Sequence, residues 1–216
     1  MDSAPSKPAS RVAAELPTLP IALKILIAGG FGAGKTTLVG TMSETTPLTT
    51  EETLSQRGIG IDDLAGVQGK AATTVAMDFG RITFKDAYRL YLFGTPGQER
   101  FWFMWDELAL GALGAVVLAD TRRLADCFPA VDYFERHRIP FIVAVNVFDS
   151  APRHDLGEVE DALRLNTEIP ILLCDARDRE SGKQALIRLV EHARERHRSM
   201  PDLAGTATSS ALSGGS

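Results

Sequence analysis

The 216-residue chain has little cysteine, and its two residues, Cys127 and Cys174, both lie inside apolar runs. A disulfide scaffold is excluded; buried, reduced thiols and a cytoplasmic setting are expected. Positive charge is not in excess, because 23 Lys and Arg stand against 28 Asp and Glu for a net −5. No overall field draws in nucleic-acid backbone or anionic lipid, so a nucleic-acid binder is not expected. Long apolar runs are missing too. The longest, 111–119, is half of the roughly 20 residues a bilayer demands, and neither end shows an acylation or prenylation pattern. Direct membrane insertion is not expected, and any membrane association would come through a partner. The histidines His137, His154, His192 and His197 show no metal-ligand spacing.

What is present is a core-forming composition, 44% hydrophobic and 24% charged, with length for one domain. Residues 1–20 hold four of the eleven prolines and no periodicity, which predicts a flexible leader. Residues 199–216 are Ser, Thr, Gly and Ala without an apolar period, which predicts a disordered tail. The domain itself is expected over 21–198.

Within it, six β-rich runs recur: LKILIAG at 23, VAMDFGRITF at 75, YRLYLFG at 88, LGAVVLAD at 113, PFIVAVNVF at 140 and PILLCD at 170. The runs at 113, 140 and 170 are apolar without alternation, as in strands covered on both faces of a parallel sheet. Helical spacing lies between them, at 38–42, 105–110, 131–137, 159–165 and 186–193. The pattern predicts an open α/β sheet of six strands, mostly parallel, with helices on both faces. The runs at 75 and 88, joined by Lys85-Asp86-Ala87, read as a hairpin that puts one antiparallel strand at an edge.

The segment Gly29-Gly30-Phe31-Gly32-Ala33-Gly34-Lys35-Thr36 fits G-x-x-x-x-G-K-[ST] between a strand and a helix. Glycines let backbone N–H groups curl round a diphosphate, and the helix end adds partial positive charge. Lys35 would neutralise β/γ oxygens, Thr36 would offer a hydroxyl to Mg²⁺, and Thr37 continues the cradle. Thr95-Pro96-Gly97-Gln98-Glu99-Arg100-Phe101 follows the run at 88. This segment resembles switch II of the Ras-like small GTPases, D-T-A-G-Q-E-R-F, and more closely that of the bacterial conservon-type small GTPases, G-T-P-G-Q-E-R-F. The resemblance puts Gln98 on the glutamine that orients the attacking water and the Gly97 N–H where the γ-phosphate is sensed. It also exposes a departure: the Asp that reaches Mg²⁺ through water is Gly94 here, so the metal would have one carboxylate fewer.

Thr73-Thr74-Val75-Ala76-Met77-Asp78-Phe79 resembles the Rab-type switch I, T-x-G-x-D-F, placing Thr74, with Thr73 as runner-up, on the threonine that binds Mg²⁺ and γ-phosphate. Two threonines opening a strand give the same pattern. The stretch 41–72 is long for the family, either functional or mobile. Asn146-Val147-Phe148-Asp149 is similar to the guanine-reading N-K-x-D. A carboxylate there accepts from guanine N1–H and N2–H₂, which adenine cannot offer, although Asn and Asp are also ordinary turn formers. Val147 removes the lysine stem that packs along the base. Asp175-Ala176-Arg177 falls on the family's S-A-K, with the Ala176 N–H facing guanine O6 and Arg177 within reach of the base.

Four aromatics crowd into Phe101-Trp102-Phe103-Met104-Trp105, and no single element can bury five neighbours on one face. Some exposure is expected, as a partner surface or as the edge of a core patch. Arg194, Arg196, His197 and Arg198 read as a solvated basic helix end. The resemblance as a whole implies a cytoplasmic GTP/GDP switch that hydrolyses GTP with Mg²⁺, Lys35 and Gln98. It implies partners of a bacterial signalling set: a roadblock-type small protein, a sensor-kinase-like membrane protein and a GTPase-activating protein. The competing reading is a nucleotide-dependent binding module with little hydrolysis, motivated by Gly94.

Overall fold

The computed structural model describes residues 20–54, 73–84, 87–149 and 151–199. The expected leader, most of the expected tail, the greater part of the stretch 41–72, and Lys85-Asp86 lie outside the described residues.

Seven strands form one sheet: β1 (Ile21–Gly29), β2 (Leu48–Leu54), β3 (Thr73–Phe84), β4 (Tyr88–Gly94), β5 (Ala112–Ala119), β6 (Phe141–Asn146) and β7 (Ile171–Cys174), ordered β2-β3-β4-β1-β5-β6-β7. The six expected strands are all present. β1 pairs in parallel with β4 and β5, and β5, β6 and β7 continue in parallel, while β3 runs antiparallel to β4. The edge expected for β3 passes to β2, which adds a second antiparallel pair outside it.

Five helices connect the strands: α1 (Lys35–Met42), α2 (Trp105–Ala109), α3 (Phe128–Arg136), α4 (Leu156–Leu163) and α5 (Arg179–Ser199). Alternation along the strands builds a core on each face. Ile25, Ile27, Val116, Leu118, Ile142 and Ala144 point to α1 and α5, meeting Leu38, Val39, Ala185, Leu186 and Leu189. Leu26, Ala28, Val117, Phe141 and Val143 point the other way, to α2, α3 and α4 through Trp105, Val131, Phe134, Val159 and Leu163. Two-sided burial explains why β5 and β6 read as unbroken apolar runs. Among the described residues no helix is long and apolar enough to cross a membrane.

Both cysteines are buried and free. Burial pushes the Cys127 thiol up to about 12 and raises that of Cys174. A thiol reagent at pH 8 should therefore label neither residue in the folded chain and both in denaturant; rapid labelling under native conditions would contradict this burial.

The aromatic cluster of 101–105 divides. Phe101 and Trp105 are buried, Trp102 and Met104 are half-buried, and Phe103 is 63% exposed. Trp105 stacks on Phe134, meets Tyr133 edge-on and donates from Nε1 to the Pro96 carbonyl at 3.2 Å. That bond ties the segment after β4 to the core.

Candidate nucleotide-binding site

Strand direction reverses its connections about β1, and ligands of open α/β sheets sit beyond the carboxyl ends of strands at such a point. The segments 30–34, 95–98, 147–149 and 175–178 all follow the carboxyl ends of parallel strands. Separated in sequence, they meet at one rim.

The glycine-rich loop joins β1 to α1. Gly29 has φ +132°, and a Cβ there would lie 2.3 Å from the Leu118 carbonyl oxygen. Gly34, the residue before α1, has φ +104°, and a Cβ there would lie 2.4 Å from Asn146 Nδ2. Both the left-handed backbone and the close approaches demand glycine. Lys35 Nζ curls back onto the carbonyls of Gly29 (2.9 Å) and Gly30 (2.6 Å). Desolvation lowers its pKa to about 8, partly opposed by the Asp78 carboxylate. An ammonium so placed gains strongly from an arriving polyanion.

Gly97 lies against this loop: a Cβ on it would fall 2.7 Å from Lys35 Nζ and 3.0 Å from the Phe31 nitrogen. The structure thus brings the second motif to the first. Gln98 is exposed and precedes the 3₁₀ turn Glu99–Met104, its carbonyl accepting from the Phe101 N–H at 3.0 Å. Thr74 is the second residue of β3, opposite Thr53 of β2; its side chain, with those of Thr73 and Arg100, falls outside the described residues. Thr36 Oγ1 donates to Asp78 Oδ2 at 2.6 Å. A hydroxyl that gives its proton away keeps its lone pairs for a hard cation, so Thr36 and Asp78 fit Mg²⁺.

The residues expected to read the base gather behind the loop. Asn146 is buried, with Nδ2 donating to the Ala33 carbonyl at 2.9 Å and Oδ1 accepting from the Ala176 N–H at 3.0 Å. That N–H, expected to face guanine O6, is thus engaged by Asn146. Arg177, expected over the base, instead bridges Asp149 (2.7 and 3.1 Å) and Asp175 (2.9 Å). Its hydrogen bonds hold both carboxyls below the usual carboxylate range, and theirs raise the guanidinium. All three side chains reach solvent, so the bridge is cheap to rearrange. Phe148 lies under the Arg122 guanidinium (3.7 Å), which is in turn forked onto Asp120 (2.9 and 2.7 Å).

Two groups were not assigned from the sequence. Asp78 lies inside the motif at 73–79, whose spacing gives it no role. Arg123, at a non-helical break (φ −148°, ψ 55°) in the segment Thr121–Cys127, donates from Nη2 to the Phe31 carbonyl of the phosphate loop.

Fold and site together define a P-loop nucleotide-binding protein with the architecture of a G domain. Residues 27–196 match the family described as conserved hypothetical ATP binding proteins, and the chain belongs to that family. It is 28% identical over 140 residues to an uncharacterized protein of Methanocaldococcus jannaschii, covering 64% of this chain and 74% of that one. Among solved structures, it is similar to the G domain of the Thermotoga maritima FeoB iron transporter, at TM-score 0.57 and 20% identity over 80% of this chain and 99% of that one. The cytosolic domain of the same transporter in a GDP form aligns at TM-score 0.58 and 19% identity, over 81% of this chain. The chain spans 64% of that domain's length.

Proposed function

We propose that the chain is a guanine-nucleotide switch that binds GTP and GDP and hydrolyses GTP. The observation that carries this is Asn146, whose amide joins the phosphate loop at Ala33 to the base-reading loop at Ala176. Base and phosphates would then be held by one hydrogen-bonded frame. Asp149 stands three residues on, an acceptor pair suited to guanine N1–H and N2–H₂ and unsuited to adenine. The family's description names ATP, so the test is competition: GTP and GDP should displace a labelled guanine nucleotide at concentrations where ATP does not. Equal displacement by ATP would overturn the guanine reading.

For hydrolysis, Lys35 would hold charge on the β/γ oxygens, the Gly97 N–H would donate to the γ-phosphate, and Gln98 would orient the attacking water. Thr36 and Thr74 are the proposed metal-side hydroxyls, and Mg²⁺, when bound, neutralises charge developing between the β- and γ-phosphates. Arg57 and the side chain of Arg100 lie outside the described residues. Arg123 is directed at the loop's carbonyl. Turnover by the purified chain should thus be slow, with an arginine from an activating partner worth about 10³- to 10⁵-fold. Gln98→Leu should slow single-turnover hydrolysis further while leaving GTP affinity unchanged. Parent-like hydrolysis by that variant would remove Gln98 from the mechanism.

The exposed Phe103 and half-buried Trp102 and Met104 just past Gln98 support a protein partner that reads the nucleotide state. With the conservon-type resemblance, this favours a cytoplasmic signalling role beside a roadblock-type protein and a sensor-kinase-like membrane protein. A second reading, a binding module without turnover, rests on Gly94; the hydrolysis assay with partner separates the two.

A further inference from the structure

The geometry points to Asp78 of β3 as the metal-side carboxylate of this site, occupying from the neighbouring strand the place left by Gly94 of β4. The inference rests on the reading of the cradle as a Mg²⁺-nucleotide site and deepens it.

Three observations carry it. β3 and β4 pair antiparallel, with Phe79 opposite Phe93. One step further along both strands brings Asp78 against Gly94, where a Cβ built on Gly94 would lie 3.1 Å from both Cβ and Oδ2 of Asp78. The two positions therefore compete for one volume. A side chain at 94 would crowd Asp78, so the absence of one at 94 and the presence of a carboxylate at 78 belong to one arrangement. Second, Asp78 Oδ2 already accepts from Thr36 Oγ1 at 2.6 Å. A hydroxyl that ligates a cation through its lone pairs must give its proton to an acceptor, and a carboxylate is the strongest available. Third, the register that sets Asp78 beside Gly94, the last residue of β4, puts the carboxylate at the rim of the sheet where the phosphate loop lies.

This alters the meaning of Gly94. Its loss of a carboxylate suggested a weakened metal site, but the charge has moved strands rather than disappeared. An Asp placed at position 94 of β4 would stand across one cross-strand pair from Asp78 of β3, at the same end of the sheet. Mg²⁺ dependence of nucleotide retention should accordingly be ordinary for a P-loop protein and should depend on Asp78.

The test loads the full chain with N-methylanthraniloyl-GDP and follows release into excess unlabelled GDP, with Mg²⁺ or with EDTA. The parent should release more slowly in Mg²⁺. Asp78→Asn keeps the shape and removes the charge. It should raise the Mg²⁺ concentration needed to slow release by about 10- to 100-fold. Asp78→Gly combined with Gly94→Asp returns the carboxylate to β4 and should restore Mg²⁺-slowed release. An Asp78→Asn chain that responds to Mg²⁺ as the parent does overturns the assignment. If Asp78→Asn fails to load, the paired variant decides, since release blind to Mg²⁺ in that variant overturns the assignment and Mg²⁺-slowed release supports it. A parent that takes up no labelled nucleotide in either buffer overturns the nucleotide reading itself, an outcome distinct from a parent that binds and a variant that does not differ.

Discussion

Lys35→Ala should cut GTP and GDP affinity by roughly 10²- to 10⁴-fold, about 3 to 5 kcal/mol, the cost of removing one partner from a desolvated charge pair. Nothing else on the described face of the loop replaces it. The backbone N–H groups donate as dipoles, and Arg123 is spent on the Phe31 carbonyl. The pH dependence follows from the same burial. With its pKa lowered to about 8, Lys35 is charged below that pH and loses its proton above it. Only the charged form attracts phosphate, so GDP affinity should be level from pH 6.5 to 7.5 and then fall toward tenfold per unit above pH 8. Equilibrium titration with a fluorescent GDP reads both effects. An alanine variant that binds like the parent would show that the loop holds no diphosphate.

Asp149→Asn should collapse the preference for guanine over adenine by roughly 10²-fold or more, because a site built around specific hydrogen bonds rejects analogues by large factors. The carboxylate presents two acceptors, whereas the amide presents one acceptor and one donor group, which then faces the guanine N2–H₂. Xanthine carries a carbonyl at that position and should gain what guanine loses. Arg177 would also lose one of its two carboxylates while keeping Asp175. Competition among GDP, xanthosine diphosphate and ADP measures the change. Unaltered GDP preference would remove Asp149 from base recognition.

Much of this was readable because the governing constraints are local. Gly29 and Gly34 mark positive φ and close approach, and glycine is nearly alone in tolerating both. β5 and β6 declared themselves as unbroken apolar runs because they are covered on both faces. β2 did not, since LTTEETL carries an edge strand's polar composition inside a stretch that reads as loop. Asp78 was illegible for another reason. Its contact with Gly94 spans a β3–β4 register that residue spacing alone does not fix, so the sequence shows a missing carboxylate without showing its replacement. Arg123 reaches the phosphate loop through one non-helical residue in a short turn, which periodicity does not register. The motif sets Ala176 and Arg177 directly after β7, but their partners are set by the fold, which turns both toward protein groups.

The bond from Trp105 to Pro96 has a mechanical consequence. Thr95 is tied to Ile27 of β1 through its N–H at 2.9 Å, and Pro96 is tied to an indole wedged against Tyr133 and Phe134. The stem of the proposed γ-phosphate sensor is tied at both of these residues, and Gly97 is the next residue along. Residues 97–104 therefore span two anchored points, Pro96 and Trp105, with Trp102 and Phe103 between them. The chain has two tryptophans, Trp105 at an anchor and Trp102 between the anchors, with ring centroids 6.1 Å apart. A change in tryptophan emission on adding GDP or GTP would report movement of Trp102 between the two anchors.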